Sequence, residues 1–116
     1  MLRSFLIAAG SVALSMSALT GAPNVASAQE QSVELTIRDH RFEPARIEIP
    51  ANAKVKLVIK NADPTPEEFE MNNPKREKVI KGGQQGELTI GPLKPGTYDF
   101  VGEFNPKTAR GQIVVK

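Results

Sequence analysis

The sequence contains no cysteine and no tryptophan, and it has one histidine and one tyrosine. Without cysteine the protein can form neither a disulfide nor a thiolate–metal bond, so this chain of 116 residues depends on a closed apolar core for stability. One histidine without cysteine provides neither a catalytic triad nor the paired spacing of a zinc site. No glycine loop of the kind that cradles phosphate follows a predicted strand.

The charge balance is close to neutral. The chain has 15 basic and 13 acidic side chains, for a formal net charge of +2. Nucleic-acid binding needs a basic face and usually aromatic side chains on which bases stack. We therefore expect no nucleic-acid partner.

The first 28 residues have the pattern of a secretory signal peptide. Arg3 provides the positive end, Phe5 to Leu19 is apolar and small, and Ala26-Ser27-Ala28 forms an A-x-A cleavage site. The apolar segment is too short and too polar to be a stable membrane span. We expect cleavage after Ala28, which leaves a periplasmic domain of residues 29–116 that does not span the membrane when mature.

Beyond residue 32, short segments alternate between apolar and polar residues, which is typical of strands with one buried face. Val33, Leu35 and Ile37 form the first such set. Glycine and proline interrupt the alternation roughly every 8–12 residues, and no segment has a helical period. The pattern predicts seven or eight strands in an all-β, Greek-key antiparallel β-sandwich.

One acidic segment, NADPTPEEFEM at 61–71, stands out from this pattern. Its two prolines predict a rigid entry into an extended segment. Strand parity then places Glu67, Phe69 and Met71 on one face and Glu68 and Glu70 on the other. Clustered carboxylates repel unless water, a basic side chain or a metal ion lies between them, so the segment is either a solvated charged run or part of a metal site.

The order of motifs resembles the cupredoxin fold over residues 32–116. The motifs are FEPARIEIPAN, KLVIKNAD, GPLKPGTYDF and a final GQIVVK. In blue-copper members the ligands are a histidine before the EF pair and a cysteine, a histidine and a methionine of the last loop. The resemblance places these at Glu67, near Val101, near Asn105 and near Ala109. Because a type 1 copper site needs a thiolate, this chain is not expected to be a blue-copper electron carrier.

Within that superfamily, DHRFEP, TPEEFE, REKVI and GEFNPKTARG resemble the cysteine-poor periplasmic components of bacterial ferrous-iron uptake systems, similar to the N-terminal domain of EfeO-type proteins. The resemblance implies that the protein binds iron or copper and handles or oxidises ferrous iron for a permease or a periplasmic iron-binding partner. Such relatives usually have histidine where this loop has Asn105. No other catalytic constellation is present.

A Greek-key sandwich of this order would bring the acidic segment and the GEFNP loop to the same pole. Carboxylates with one amide and at most one imidazole would form an oxygen-rich site suited to iron, manganese or calcium. The candidate metal ligands are Glu67, Glu103, Glu68, Glu70, His40, Met71 and Asn105. Each also has a structural alternative: a surface ion pair or solvated charge for the glutamates, a hydrogen bond for His40, core filling for Met71 and a turn for Asn105.

Two other functions fit the same sequence. The first is a metal-free cupredoxin-like adaptor that acts by contact with a partner protein, for which the basic group Lys75, Arg76, Lys78 and Lys81 is either a docking surface or a solvated sheet edge. The second is a periplasmic copper-handling protein that uses Met71 and His40.

Overall fold

The structure is a computed structural model that describes residues 31–116. The predicted signal peptide and its cleavage site lie outside the described residues. The described part of the chain forms nine strands: β1 (Gln31–Arg38), β2 (Arg41–Glu43), β3 (Arg46–Ile49), β4 (Val55–Asn61), β5 (Glu67–Asn72), β6 (Lys75–Ile80), β7 (Gln85–Ile90), β8 (Gly96–Gly102) and β9 (Arg110–Val115).

The strands form two sheets, one with the order β2-β1-β4-β7 and one with the order β3-β9-β8-β5-β6. The predicted all-β sandwich is confirmed. The sheets are mixed rather than wholly antiparallel, because β1 pairs in parallel with β4 and β3 in parallel with β9. Alternation predicts a strand and its buried face, but it carries no information about the direction of the neighbouring strand, which depends on the long connections.

The core lies between the inward faces of the two sheets. In β1 the buried residues are Leu35 and Ile37, and in β5 the residues Glu67, Phe69 and Met71 are buried while Glu68 and Glu70 are only half-buried. The parity predicted for the acidic segment is therefore confirmed. Three aromatic rings fill the centre, with centroids 4.9 Å apart for Phe42 and Phe100 and 5.1 Å apart for Phe69 and Phe100.

Strands β5 and β6 form a hairpin around Asn73 and Pro74, with Asn72 opposite Lys75 and Glu70 opposite Glu77. Strand β6 starts at Lys75, because the tight turn lets pairing with β5 begin at once. β6 is an edge strand, and Lys75, Arg76 and Lys78 are exposed along it. The Arg76 guanidinium donates to the Thr89 carbonyl of β7, at the edge of the other sheet.

In the described residues, no helix is long and apolar enough to cross a membrane.

Candidate functional site

The acidic strand β5 and the loop between β8 and β9 meet at one pole of the sandwich. Phe69 pairs with Gly102, and the pairing continues one step into the loop, where the Glu103 amide donates to the Glu68 carbonyl at 2.8 Å. The predicted approach of the Glu67 segment to the GEFNP loop is thus present in the backbone.

The Glu67 carboxyl group lies inside this pole, with 1% of the residue exposed. Its Oε1 accepts hydrogen bonds from the amide of Glu68 at 3.0 Å and from the amide of Phe104 at 2.8 Å. Its Oε2 accepts a bond from Nδ2 of Asn105 at 2.6 Å. In residues 31–116 no ion pair reaches Glu67, so its polar contacts are these N–H donors.

Asn105 organises the loop that covers Glu67. Its backbone amide donates to the Gly102 carbonyl at 3.0 Å. Its backbone carbonyl accepts the amides of Thr108 at 3.2 Å and of Ala109 at 2.8 Å. The turn that was the structural alternative for Asn105 is therefore present. The same residue also holds Glu67, so backbone and side chain together fix the loop on β5.

A second set of carboxylates lies on the outward face of the same sheet. Ligand oxygens of Glu68, Glu70 and Glu77 all lie within 4.8 Å of one another, a grouping that could hold a metal ion. Glu103 adjoins this set, because its carboxyl group is close enough to that of Glu70 to raise the pKa of Glu70. We call Glu68, Glu70, Glu77 and Glu103 the outer carboxylate group.

The outer carboxylate group alters the protonation of Glu70. Desolvation raises the pKa of Glu70 above its ordinary value, and the hydrogen bond with Glu103 and the negative charges of Glu103 and Glu77 raise it further. Lys75 acts in the opposite direction. Crowding by like charges therefore makes protonation of Glu70 easier.

His40 lies in the turn between β1 and β2, where its contacts are with Asp63. The Asp63 carboxylate accepts the amide of Asp39 at 2.8 Å and that of His40 at 2.9 Å, and the imidazole Nδ1 lies 3.6 Å from its Oδ2. Thr108 donates to the His40 carbonyl at 2.6 Å, so the turn does reach the loop of the pole. These contacts support the structural alternative for His40, a hydrogen-bonded turn residue.

The amide of His40 is the largest influence on Asp63 and holds the pKa of this carboxyl group below its ordinary value. Burial acts against that shift, while the Asp39 amide and the nearby His40 and Arg38 side chains strengthen it.

Met71 is buried among the core residues with 1% of its surface exposed, on the same face as Phe69. The seven predicted ligands are therefore distributed over separate places. Glu67 and Asn105 meet inside the pole, Glu68, Glu70 and Glu103 meet on the outer face, His40 contacts Asp63, and Met71 lies in the core.

Two residues of the pole were missed by the sequence reasoning. Glu77 joins the outer carboxylate group because it pairs with Glu70, and counting outward from the Asn73-Pro74 turn would have given that register. Position 102, not Val101, faces inward beside Glu67, since it shares the parity of Tyr98 and Phe100. Carrying the same alternation two residues past Phe100 would have shown this.

Comparison with known proteins agrees with this architecture. The sequence model of the Cupredoxin-like domain family matches residues 6–115. The chain belongs to this family. An uncharacterized protein of Rickettsia prowazekii (strain Madrid E) is 43% identical over 83 residues, which make up 72% of this chain and 66% of that protein. The cupredoxin-like chain thus spans just under two thirds of that relative's length.

Solved structures show the same fold. The metal-binding domain of the Cu(I)-exporting P-type ATPase CopA of Streptococcus pneumoniae D39, with Cu(I), has a TM-score of 0.66 at 15% identity, covering 73% of this chain and 84% of that chain. Auracyanin A, a blue copper protein from Chloroflexus aurantiacus, has a TM-score of 0.66 at 14% identity, covering 73% and 98%. At these identities the likeness is one of fold.

A type 1 copper ion does not fit the pole of this cupredoxin-like chain. The residues gathered at the pole, Glu67, Gly102, Asn105 and Ala109, offer no sulfur and no imidazole. The space is also filled, because a Cβ on Gly102 would lie 2.6 Å from Cβ of Ala109 and 2.7 Å from Cδ of Glu67. Every buried side-chain nitrogen and oxygen in the described residues has a hydrogen-bond partner, so no buried polar atom there lacks a partner that a metal ion would supply.

Proposed function

We propose that this protein binds iron at the outer carboxylate group and serves ferrous-iron uptake in the periplasm. The observation that carries the proposal is the placement of ligand oxygens of Glu68, Glu70 and Glu77 within 4.8 Å of one another. An iron permease or a periplasmic iron-binding protein would receive the ion. The likeness of DHRFEP, TPEEFE and GEFNPKTARG to components of iron-uptake systems supports this role.

The chemistry of the outer carboxylate group favours a hard cation. Its donors are carboxylate oxygens, which suit iron, manganese and calcium better than Cu(I). Crowding of like charges raises the free energy of the group, as the raised pKa of Glu70 indicates. A cation among these oxygens would remove that repulsion, so the energy released contributes to binding.

The same donors favour the oxidised state of bound iron, because Fe(III) gains more from negatively charged oxygen ligands than Fe(II) does. An Fe(II) ion held here is therefore easier to oxidise than the same ion in water. Reduction of one dioxygen to two water molecules would take one electron from each of four ferrous ions and four protons from the solvent. The protein would then deliver ferric iron to its partner.

Anaerobic calorimetric titration of the protein with Fe(II) tests this function. We expect saturable binding, weakened about tenfold or more by Glu70→Gln or Glu77→Gln, since each change removes one negatively charged ligand. Glu34→Gln is the matched control, because Glu34 lies on the other sheet and pairs with Lys60. Admission of air should give oxygen consumption above a protein-free control. Absence of Fe(II) binding, or equal binding by all variants, would refute the proposal.

A second candidate, the metal-free adaptor, is favoured by one specific observation. Phe104 is 50% exposed at the tip of the closed pole, and the basic edge of β6 is also exposed. Under this function, the glutamate variants would support normal uptake of radioactive iron into cells. Charge reversal at Lys75, Arg76 and Lys78 would instead abolish uptake. Copper handling, which the fold also permits, would appear as tighter binding of Cu(I) or Cu(II) than of Fe(II) in the same titrations.

A further inference from the structure

The interior of the pole holds a complete hydrogen-bonded unit that is separate from the outer carboxylate group. Glu67 accepts three N–H donors, two from backbone amides and one from the Asn105 side chain. Two of those donors, Phe104 and Asn105, belong to the loop between β8 and β9. A single carboxyl group on β5 therefore fastens this loop to the sheet.

The loop is also closed on itself. The Asn105 carbonyl accepts the Ala109 amide at 2.8 Å, and the Gly102 amide donates to the Ala109 carbonyl at 2.8 Å. Ala109 is fully buried at the base of this arrangement. Hydrogen bonds within the loop therefore define its conformation.

Atoms pack closely around Glu67 on the side of Gly102. Even one added carbon on Gly102 would come within 2.7 Å of Cδ of Glu67, closer than real carbon atoms approach. An ion bound between residues 67 and 105 would have to break the 2.6 Å hydrogen bond between their side chains. In exchange it would gain one carboxylate and one weak amide ligand.

We propose that Glu67 and Asn105 form a latch that replaces the metal at this pole: it holds the 102–109 loop on β5 by hydrogen bonds and excludes copper. A metal ion shared by positions 67 and 105 would tie the same two segments together. The latch joins β5 to the loop in the absence of any metal. The latch lies outside the outer carboxylate group and does not depend on iron binding there.

The test combines copper titration with hydrogen exchange on the protein expressed from the whole 116-residue chain. Cu(II) sulfate and the Cu(I)–acetonitrile complex are added to the wild type and to Glu67→Gln, Asn105→Ala and the control Glu48→Gln. Glu48 is an exposed glutamate of β3 that pairs with Lys116. Thermal unfolding and amide exchange at Phe104, Thr108 and Ala109 are measured with and without copper.

We expect copper to leave the Tm and loop exchange of the wild type unchanged. Glu67→Gln and Asn105→Ala should lower Tm by about 5–15 °C, since each loses hydrogen bonds in a buried place. Both should accelerate exchange at the loop amides relative to the amides of β4. Glu48→Gln should behave as the wild type. Asn105→Ala removes a single side-chain bond, so it remains informative if Glu67→Gln does not fold.

Two results would overturn the latch. One is a copper-dependent rise in Tm for the wild type and Glu48→Gln that is absent from Glu67→Gln, which would make the pole a metal site. The other is unchanged loop exchange in both Glu67→Gln and Asn105→Ala. The iron function is tested by Fe(II) binding to Glu70→Gln and Glu77→Gln, whereas the latch is tested by copper and hydrogen exchange in Glu67→Gln and Asn105→Ala. Failure of one proposal is therefore distinguishable from failure of the other.

Discussion

The side-chain amide of Asn105 donates a hydrogen bond of 2.6 Å to Oε2 of Glu67, 38 positions earlier in the chain. This bond joins strand β5 to the loop between β8 and β9. Carboxylate and amide satisfy each other here, whereas two imidazoles in the same places would leave lone pairs directed at a metal. In this chain the two side chains therefore form a structural contact at the pole.

Gly102→Ala should destabilise the protein by about 1–3 kcal/mol, because overpacking in a filled interior forces neighbouring groups to move. The new methyl group would lie 2.6 Å from Cβ of Ala109 and 2.7 Å from Cδ of Glu67. Urea unfolding measures the free-energy change. Adding Ala109→Gly removes one of the two clashes, so the double variant should recover part of the loss. A single variant as stable as the wild type would show that the pole has free space.

Much of the architecture was predictable from alternation. The burial of Glu67, Phe69 and Met71 on one face of β5 follows directly from a period of two once the segment is taken as a strand. The parallel pairing of β1 with β4 was not predictable in this way, because it depends on how the chain crosses between sheets.

The candidate site was predictable only as a set of residues. Sequence reasoning placed Glu67 and Glu103 in segments that meet, and the backbones do meet. It could not show that Glu67 accepts amides of this loop or that Glu103 lies beside Glu70. Those contacts depend on the β5–β8 register, which neither local composition nor the turn sequence determines.

Glu70→Gln should raise the Tm of the metal-free protein at pH 7. The folded state raises the pKa of Glu70, so the ionised side chain is less favourable in the folded than in the unfolded chain. This penalty is fully present above the raised pKa and disappears as the pH falls towards the ordinary value of about 4.3. The gain in Tm should therefore be largest at neutral pH and absent near pH 3.5.

The matched control for this prediction is Glu48→Gln, because Glu48 pairs with Lys116 and lies away from the outer carboxylate group. It should show no gain in Tm at neutral pH. Thermal unfolding followed by circular dichroism at several pH values measures both variants. A loss of stability in Glu70→Gln at pH 7 would mean that an unseen positive partner, rather than repulsion, dominates around Glu70.

Asp63→Asn should make the protein less stable at neutral pH and less sensitive to acid. The Asp63 carboxylate accepts the backbone amides of Asp39 and His40. These two residues have positive φ angles of 53° and 57°, which residues other than glycine rarely adopt, so the turn depends on this support. The folded state lowers the pKa of Asp63, so its stabilising effect is present above the ordinary pKa and is lost as the pH falls below about 4.

For this variant we expect a loss of about 1–3 kcal/mol at pH 7 that shrinks on acidification. Urea unfolding at pH 7, 5 and 3 measures the difference, with Asp99→Asn, an exposed residue of β8, as control. An equal difference between wild type and Asp63→Asn at every pH would contradict the assignment of the acid sensitivity to Asp63.

Met71→Leu distinguishes core filling from metal binding by the thioether. Met71 packs beside Phe69 and Phe100 in the interior, and leucine conserves most of its volume, so the change should cost less than about 1.5 kcal/mol. If Met71 is a core residue, titrations with Cu(I) and Fe(II) will give the same affinities for the variant and the wild type. A selective loss of Cu(I) binding without loss of stability would instead identify the sulfur as a ligand. That outcome would require the core to open at β5, because the side chain is almost wholly enclosed by apolar neighbours.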